Sequence, residues 1–261
     1  VFVADLSSDG KTALLNEIGE GAGGGSVIYM RGTDGSPATR LGEGQGWALS
    51  SDGRWVLAKN PPAGGKPATL FLLPTGPGPP VELVRGDFAD YTWGSFLPDG
   101  KRVVYSAITK EGSSHAYVQA ISGGKPQAIG PDGFSLFQWA NQWSLPVSPD
   151  GKYLVGLHDG KAYLVSLDGA SPDRVLPGPF QPLEYVLQWT RDARSVYVVG
   201  RPERLRKVWL CDIATGQRRL WKEFPHDREP GIIVRVTPGG DAWAIAGSRT
   251  QTQLYLVEGL R

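Results

Sequence analysis

The stretch VSPDGKYLVGL (147–157) decides the fold, because the chain repeats its grammar. Copies stand at LSSDGKTALLN (6–16), LSSDGRWVLAK (49–59), FLPDGKRVVYS (96–106), WTRDARSVYVV (189–199) and VTPGGDAWAIA (236–246). Aligned on the turn glycine, they place Gly10, Gly53, Gly100, Gly151, Ala193 and Gly240 at intervals of 43, 47, 51, 42 and 47 residues. A strand-rich unit with that period is a propeller blade, since one four-stranded sheet cannot cover both of its own faces and needs neighbours.

The turn explains the recurrence. In x-Pro-Asp-Gly-x, proline presets φ, aspartate caps the turn backbone, and glycine takes the positive φ that closes a hairpin. Pro98-Asp99-Gly100 and Pro149-Asp150-Gly151 are complete, and Ser51-Asp52-Gly53 keeps the last two residues. Ala193 sets a Cβ where glycine is expected, which predicts either a strained positive φ or a different turn. The strands that follow, WVLA (55–58), VVYSA (103–107), YLVGL (153–157) and VYVVG (196–200), are apolar almost without alternation, so both of their faces must be covered. A third strand follows in each unit, from VIYMRGTDG (27–35) to LYLVEG (254–259), and then a short outer strand such as ATRLGEG (38–44) or VELVRG (81–86).

The expected fold is all-β, a six-bladed β-propeller of four-stranded antiparallel blades bounded near 1–44, 45–86, 87–130, 131–177, 178–222 and 223–261. Val1 to Leu6 is read as the inner strand of blade one, so the last blade is expected to lack its outer strand in this chain.

Composition agrees with a turn-rich β domain: 261 residues, 40% hydrophobic, 36 Gly and 21 Pro. With 27 basic and 26 acidic residues, no global field draws the molecule to nucleic acid. No run approaches the ~18 apolar residues of a membrane span, so no membrane insertion is expected of this fragment. The single cysteine, Cys211, has no disulfide partner, and with three scattered histidines it predicts no zinc site. A start at Val1 reads as a processed chain or a domain cut from a longer protein.

SPDGK, an apolar strand, and then IYMRGTDGSPATRL (28–41) together resemble the WD-like β-propeller repeats typified by TolB, over essentially the whole chain. Blade one, with its glycine-rich loop and TDGSPATRLGEG (33–44), also resembles the C-terminal propellers of bacterial transmembrane serine/threonine kinases and related sensors. The resemblance implies an interaction or sensor module of a larger bacterial protein, extracytoplasmic; no cofactor is expected, and the domain is expected to be a monomer.

Most motifs point away from chemistry. GEGAGG (19–24) fits G-x-G-x-x-G, but strands on both sides and no following helix argue for a hairpin loop. SSDGRW (50–55) lacks the residue that an Asp box places between Asp and Gly, and no G-x-S-x-G elbow occurs. His115, His158 and His226 fall in different blades, and Cys211 reads as a small buried hydrophobe. Arg201, Arg204, Arg206 and Lys207, with Arg218 and Arg219, read as a solvated edge or a local anionic contact.

The segments joining each outer strand to the next inner strand (D–A loops) carry many aromatics and share a face with the B–C loops. The longest, 130–146, holds FSLFQWANQW, in which Phe137, Trp139 and Trp143 stand beside Gln138, Asn141 and Gln142. With Tyr91, Trp93 and Tyr185 these form the expected binding set, for a protein, peptide or small ligand on that face. No catalytic or metal residue is assigned. The rival expectation is an enzyme, a hydrolase or lyase using funnel acids among Asp87, Asp90, Glu184 and Glu229.

Overall fold

The computed structural model describes residues 1–7, 9–19, 25–136, 147–178, 184–199, 206–224, 233–237, 239–241 and 243–246. Blade one is β1 Phe2–Leu6, β2 Thr12–Ile18, β3 Ser26–Gly32 and β4 Thr39–Glu43. Blade two is β5 Gln45–Leu49, β6 Trp55–Asn60, β7 Thr69–Pro74 and β8 Val81–Glu82. Blade three is β9 Phe88–Phe96, β10 Arg102–Thr109, β11 Ser114–Ala120 and β12 Gln127–Ile129. Blade four has β13 Tyr153–His158, β14 Lys161–Ser166 and β15 Arg174–Val175, and blade five has β16 Tyr185–Trp189, β17 Ser195–Val199, β18 Arg206–Asp212 and β19 Arg218–Phe224. In each of these sheets the strands lie side by side in chain order, antiparallel throughout.

Among the described residues these are five blades, where six were expected. The sixth repeat is represented by a hairpin, β20 Ile233–Val236 with β21 Trp243–Ala246. Its expected third strand, 254–259, lies outside the described residues, as does any test of a missing outer strand. The chain divides into two compact units, one holding blades one to four as far as Leu176, the other running from Pro177 with blade five and the hairpin.

The recurrent turn is held by more than Asp and Gly. In blade two Ser50 Oγ donates to Asp52 Oδ1 (2.6 Å), the same oxygen accepts the Arg54 N–H (3.1 Å), and the Trp55 N–H donates back to Ser50 Oγ (3.0 Å). Ser7 with Asp9, Ser148 with Asp150 and Thr190 with Asp192 repeat the arrangement. A hydroxyl two residues before the aspartate is thus part of the motif, satisfying backbone groups that the hairpin leaves open. Blade three puts Leu97 there, which is buried, and Asp99 instead accepts from the backbone of Lys101 and Arg102 and from the Arg102 side chain. The turn glycines have φ between 65° and 70°, and Ala193 takes φ 56°, so blade five keeps the turn at the cost of a strained Cβ.

The second strands are buried on both faces as expected: Val56, Leu57, Ala58, Val103, Val104 and Tyr105 have no exposed surface. First strands of successive blades pack together, β1 on β5 and β5 on β9 in the first unit, β16 on β20 in the second. They are the innermost strands, and their far edges pair with no other strand of their sheet. Between blades two and three the core is aromatic, with Phe88, Tyr91 and Tyr105 meeting edge to face at centroid distances of 5.5–6.3 Å.

Candidate functional site

Blade four is mounted differently from its sisters. Where an inner strand is expected there are two isolated bridges, Ser135 to Leu157 and Val147 to Leu154. The first is a full reciprocal pair, the Ser135 N–H donating to Leu157 O (2.9 Å) and the Leu157 N–H to Ser135 O (2.8 Å). Just before it, Phe134 O accepts the Ala116 N–H from blade three (3.0 Å). Phe134 and Leu136 are buried in the core between blades three and four. Two glycines make room: a Cβ at Gly156 would lie 2.5 Å from both the Phe134 ring and Ser135 O, and one at Gly130 would lie 2.7 Å from that ring.

Register shows what this mount carries. In blade two the rungs Leu49 to Val56 and Gln45 to Lys59 are separated on the inner strand by residues 46–48, and a bulge falls between Gly46 and Ala48. Blades one and five have the same spacing, with bulges at Val3/Asp5 and Val186/Gln188. The equivalent rungs of blade four are Val147 to Leu154 and Ser135 to Leu157, and residues 136–146 stand between them. The first residues of the aromatic stretch, at Phe134 and Ser135, thus join the blade-four mount, and residues 137–146 lie outside the described residues.

Of the expected binding residues, Phe137, Gln138, Trp139, Asn141, Gln142 and Trp143 lie outside the described residues. Tyr91 corrects the expectation of a surface position: it is 2% exposed, and burial pushes its phenol up to about 12. The reason is local. The register of blade three's first strand shifts at Thr92 and again at Ala89, both farther from the turn than the shift in its sisters, and Tyr91, between them, packs into the core between blades two and three. Trp93 is half-buried against the core between blades three and four. Tyr185 opens β16, its backbone opposite Val199.

Polar residues at the innermost strands have structural partners. Asn16 donates to Gly46 O (2.7 Å) and accepts the Gly46 N–H (2.8 Å), closing both groups of that residue from the neighbouring blade. Asp5 accepts the N–H of Leu6 and of Leu49, each at 2.8 Å. Lys59, buried, donates to Asp90 Oδ1 and to Tyr91 O, both at 2.8 Å, and Asp90 also accepts the Tyr91 N–H. Asn16 and Lys59 occupy the same repeat position, six residues after the turn glycine, and both link to the next blade's inner strand. Side chains thus occupy backbone groups that an unpaired inner edge would leave open.

The remaining candidates resolve similarly. Glu184 forms a two-pronged pair with Arg218 (2.9 and 2.8 Å), both nearly buried, and the guanidinium lies 5.0 Å over the Trp209 ring. Arg218 is therefore not the solvated edge residue its sequence context suggested. Asp87 pairs with Lys110 on the exposed surface, and Glu229 lies outside the described residues. His115 packs edge-on to Tyr117, burial lowering its pKa against the pull of Asp132, and His158 packs on Tyr163. The thiol of Cys211 is buried and pushed up to about 11. Of GEGAGG, residues 20–24 lie outside the description, but the loop joins β2 to β3, strand to strand. A cavity of about 280 Å³ opens between the turns of blades three and four, lined by Leu97, Pro98, Asp99, Arg102, Asp150 and Gly151. Among the described residues no group of three or more His, Cys, Asp or Glu could hold a metal ion, and no helix is long and apolar enough to cross a membrane.

No protein-family model and no curated protein matches the sequence. Solved structures do. A TolB-type protein of Agrobacterium tumefaciens superposes with a TM-score of 0.60 at 20% identity, covering 86% of this chain and 82% of its own. The oligogalacturonate lyase of Vibrio parahaemolyticus gives 0.63 at 15% identity, over 93% of this chain and 69% of that one. A chain of the nidogen–laminin complex gives 0.56 at 14% identity, over 85% and 78%. The shared feature is the TolB-like β-propeller fold, which serves proteins of different kinds and does not choose among their activities.

Proposed function

We propose that the chain is a non-catalytic binding module, a six-bladed propeller that presents Phe137, Gln138, Trp139, Asn141, Gln142 and Trp143, with Trp93 and Tyr185, to a protein, peptide or small ligand. The observation that carries this reading is that residues 136–146, rich in aromatic and amide side chains, stand in sequence between two rungs that sister blades join with three residues. Long insertions in compact repeats more often serve recognition than packing. Six copies of the turn and the β20–β21 hairpin support a sixth blade. A propeller in the nidogen–laminin complex gives a precedent for protein binding by the fold. The module's place in a larger bacterial sensor, kinase-linked or otherwise, is part of the same proposal and rests on the repeat resemblance.

The enzyme reading draws on the lyase neighbour. Against it, Asp90 and Glu184 are held by Lys59 and Arg218, and Asp5 by backbone N–H groups. The test is a binding screen of the purified chain against peptide and glycan arrays, run beside Trp139→Ala and Trp143→Ala. A ligand lost by about 2 kcal/mol, roughly thirtyfold, with an unchanged melting temperature supports the module. Turnover of a screened substrate that is abolished by Asp90→Asn or Glu184→Gln would establish the enzyme instead.

A further inference from the structure

We infer that the cavity between the turns of blades three and four binds a small zwitterion of the α-amino acid type with an apolar side chain, its carboxylate on Arg102 and its ammonium on Asp150. This site shares no residue with the aromatic segment proposed above and is independent of it.

The cavity opens where the repeat departs from its own rule. Three places before the turn glycine, or Ala193, the other copies hold a hydroxyl residue, Ser7, Ser50, Ser148, Thr190 and Thr237, whereas blade three holds Leu97. Two places after it they hold Thr12, Trp55, Tyr153, Ser195 and Ala242, whereas blade three holds Arg102, the one charged residue of the six. In blade two the hydroxyl donates to the aspartate and receives a backbone N–H, which closes the turn. Without that hydroxyl, Asp99 Oδ2 accepts the Arg102 Nε–H at 2.7 Å, and the guanidinium is tied to the turn. Departures from a local rule are expected where a site needs them.

The lining fixes the class of ligand. At about 280 Å³ the cavity is at the small end of sites for small molecules, which run from about 300 Å³ upward. Leu97 and Pro98 give it an apolar side, and Gly151 leaves room by carrying no side chain. Asp99 is already satisfied. Its Oδ1 accepts the N–H groups of Lys101 and Arg102. Burial alone raises its carboxyl, but the Lys101 N–H and the Arg102 side chain outweigh that and hold it below its usual range. Arg102 is not satisfied: its Nε serves Asp99, and among the described residues no acceptor meets its two terminal nitrogens. Asp150 accepts the Ser148 hydroxyl and the Lys152 N–H on Oδ1, and among the described residues no donor meets its Oδ2. The cavity thus holds free guanidinium donors and a free carboxylate oxygen, not paired with each other, beside an apolar patch. A simple anion would face Asp150 and a simple cation would face Arg102, whereas a molecule with both charges on neighbouring carbons satisfies each. A carboxylate meets the terminal nitrogens of a guanidinium in two parallel hydrogen bonds, and an ammonium donates to a carboxylate oxygen.

The experiment is a chemical-shift titration of the isotope-labelled full chain, following the amides of Gly100, Arg102 and Gly151. The probes are L-leucine, L-leucinamide, which keeps the ammonium alone, and N-acetyl-L-leucine, which keeps the carboxylate alone. Asp150→Asn leaves an oxygen for Ser148 and Lys152 but turns the free acceptor into a donor, and Arg102→Met keeps an apolar stem without the donors. Asp52→Asn, the same change in the turn of blade two, is the control, and thermal unfolding reports whether each variant is folded. The expected result is saturable shifts at these amides with leucine, at least tenfold weaker binding of either derivative, at least a tenfold loss in Asp150→Asn and in Arg102→Met, and no loss in Asp52→Asn. The absence of a saturable shift with leucine overturns the site. A derivative that binds as tightly as leucine overturns the assignment of two charges, and leucine binding unchanged in both cavity variants overturns the proposal as well. If a variant does not fold, the two derivatives decide alone, because they alter the ligand and not the protein.

Discussion

Replacing Gly156 by alanine tests the blade-four mount at its tightest point. In sister blades the equivalent position holds Leu15, Ala58, Tyr105 or Val198, so nothing in the strand itself demands glycine. The demand comes from Phe134 and Ser135: an added Cβ would sit 2.5 Å from a ring carbon of Phe134 and 2.5 Å from Ser135 O. The ring can tilt only within a core that already surrounds it, and the carbonyl is tied to the Leu157 N–H at 2.8 Å. Overpacking of this kind costs about 1–3 kcal/mol. Loosening one of the two Ser135–Leu157 hydrogen bonds adds about 1 kcal/mol. Gly156→Ala should therefore destabilise the chain by roughly 2–4 kcal/mol, or about 5–15 °C in melting temperature for a domain of this size. Urea titration followed by tryptophan fluorescence gives the midpoint, and Phe134→Leu in the same background should recover part of the loss by freeing the ring. A Gly156→Ala chain within about 0.5 kcal/mol of the parent would show that Phe134 does not fill this space, and the blade-four mount would lose its anchor.

Two further outcomes follow from the turns. Ala193→Gly removes a Cβ at φ 56° and should stabilise the chain by about 0.5–1 kcal/mol, read as a rise in the urea midpoint; no rise would mean that the turn tolerates its side chain. The carboxyls of Asp9, Asp52 and Asp192 are held below their usual range, first by the hydroxyl of Ser7, Ser50 or Thr190 and then by backbone N–H groups. Because their folded pKa values lie below the unfolded value of about 3.9, their contribution is complete above about pH 4 and is lost as pH falls through the lower folded values. The urea midpoint should drop between about pH 4 and pH 2, less steeply in Asp52→Asn, and a midpoint that rises on acidification would contradict this account.

The repeat, its period and the apolar second strands were legible in the sequence because turn chemistry is local, and Ala193 was legible as either a strained positive φ or a different turn, between which the backbone decides. Within a few residues Ser or Thr, Asp and Gly meet their own backbone, and that requirement is written wherever the turn occurs. The hydroxyl partner was legible by the same logic, since Ser7, Ser50, Ser148 and Thr190 all stand two places before the aspartate, although the proline at Pro98 and Pro149 drew attention from it. The candidate site was legible as a composition, FSLFQWANQW, but not as a place. Only register against β13 shows that Ser135, at its start, joins the blade-four ladder, because register depends on which residues face one another across a sheet. Gly156 in YLVGL was the one sequence sign of this, an unexplained glycine inside an apolar strand. The same limit applies to Tyr91, turned inward where blade three's bulge is displaced, and to Asn16, Lys59 and Arg218, whose partners Gly46, Asp90 and Glu184 lie about thirty residues away. No local rule assigns a polar side chain to a group that distant; the packing of one element against another does.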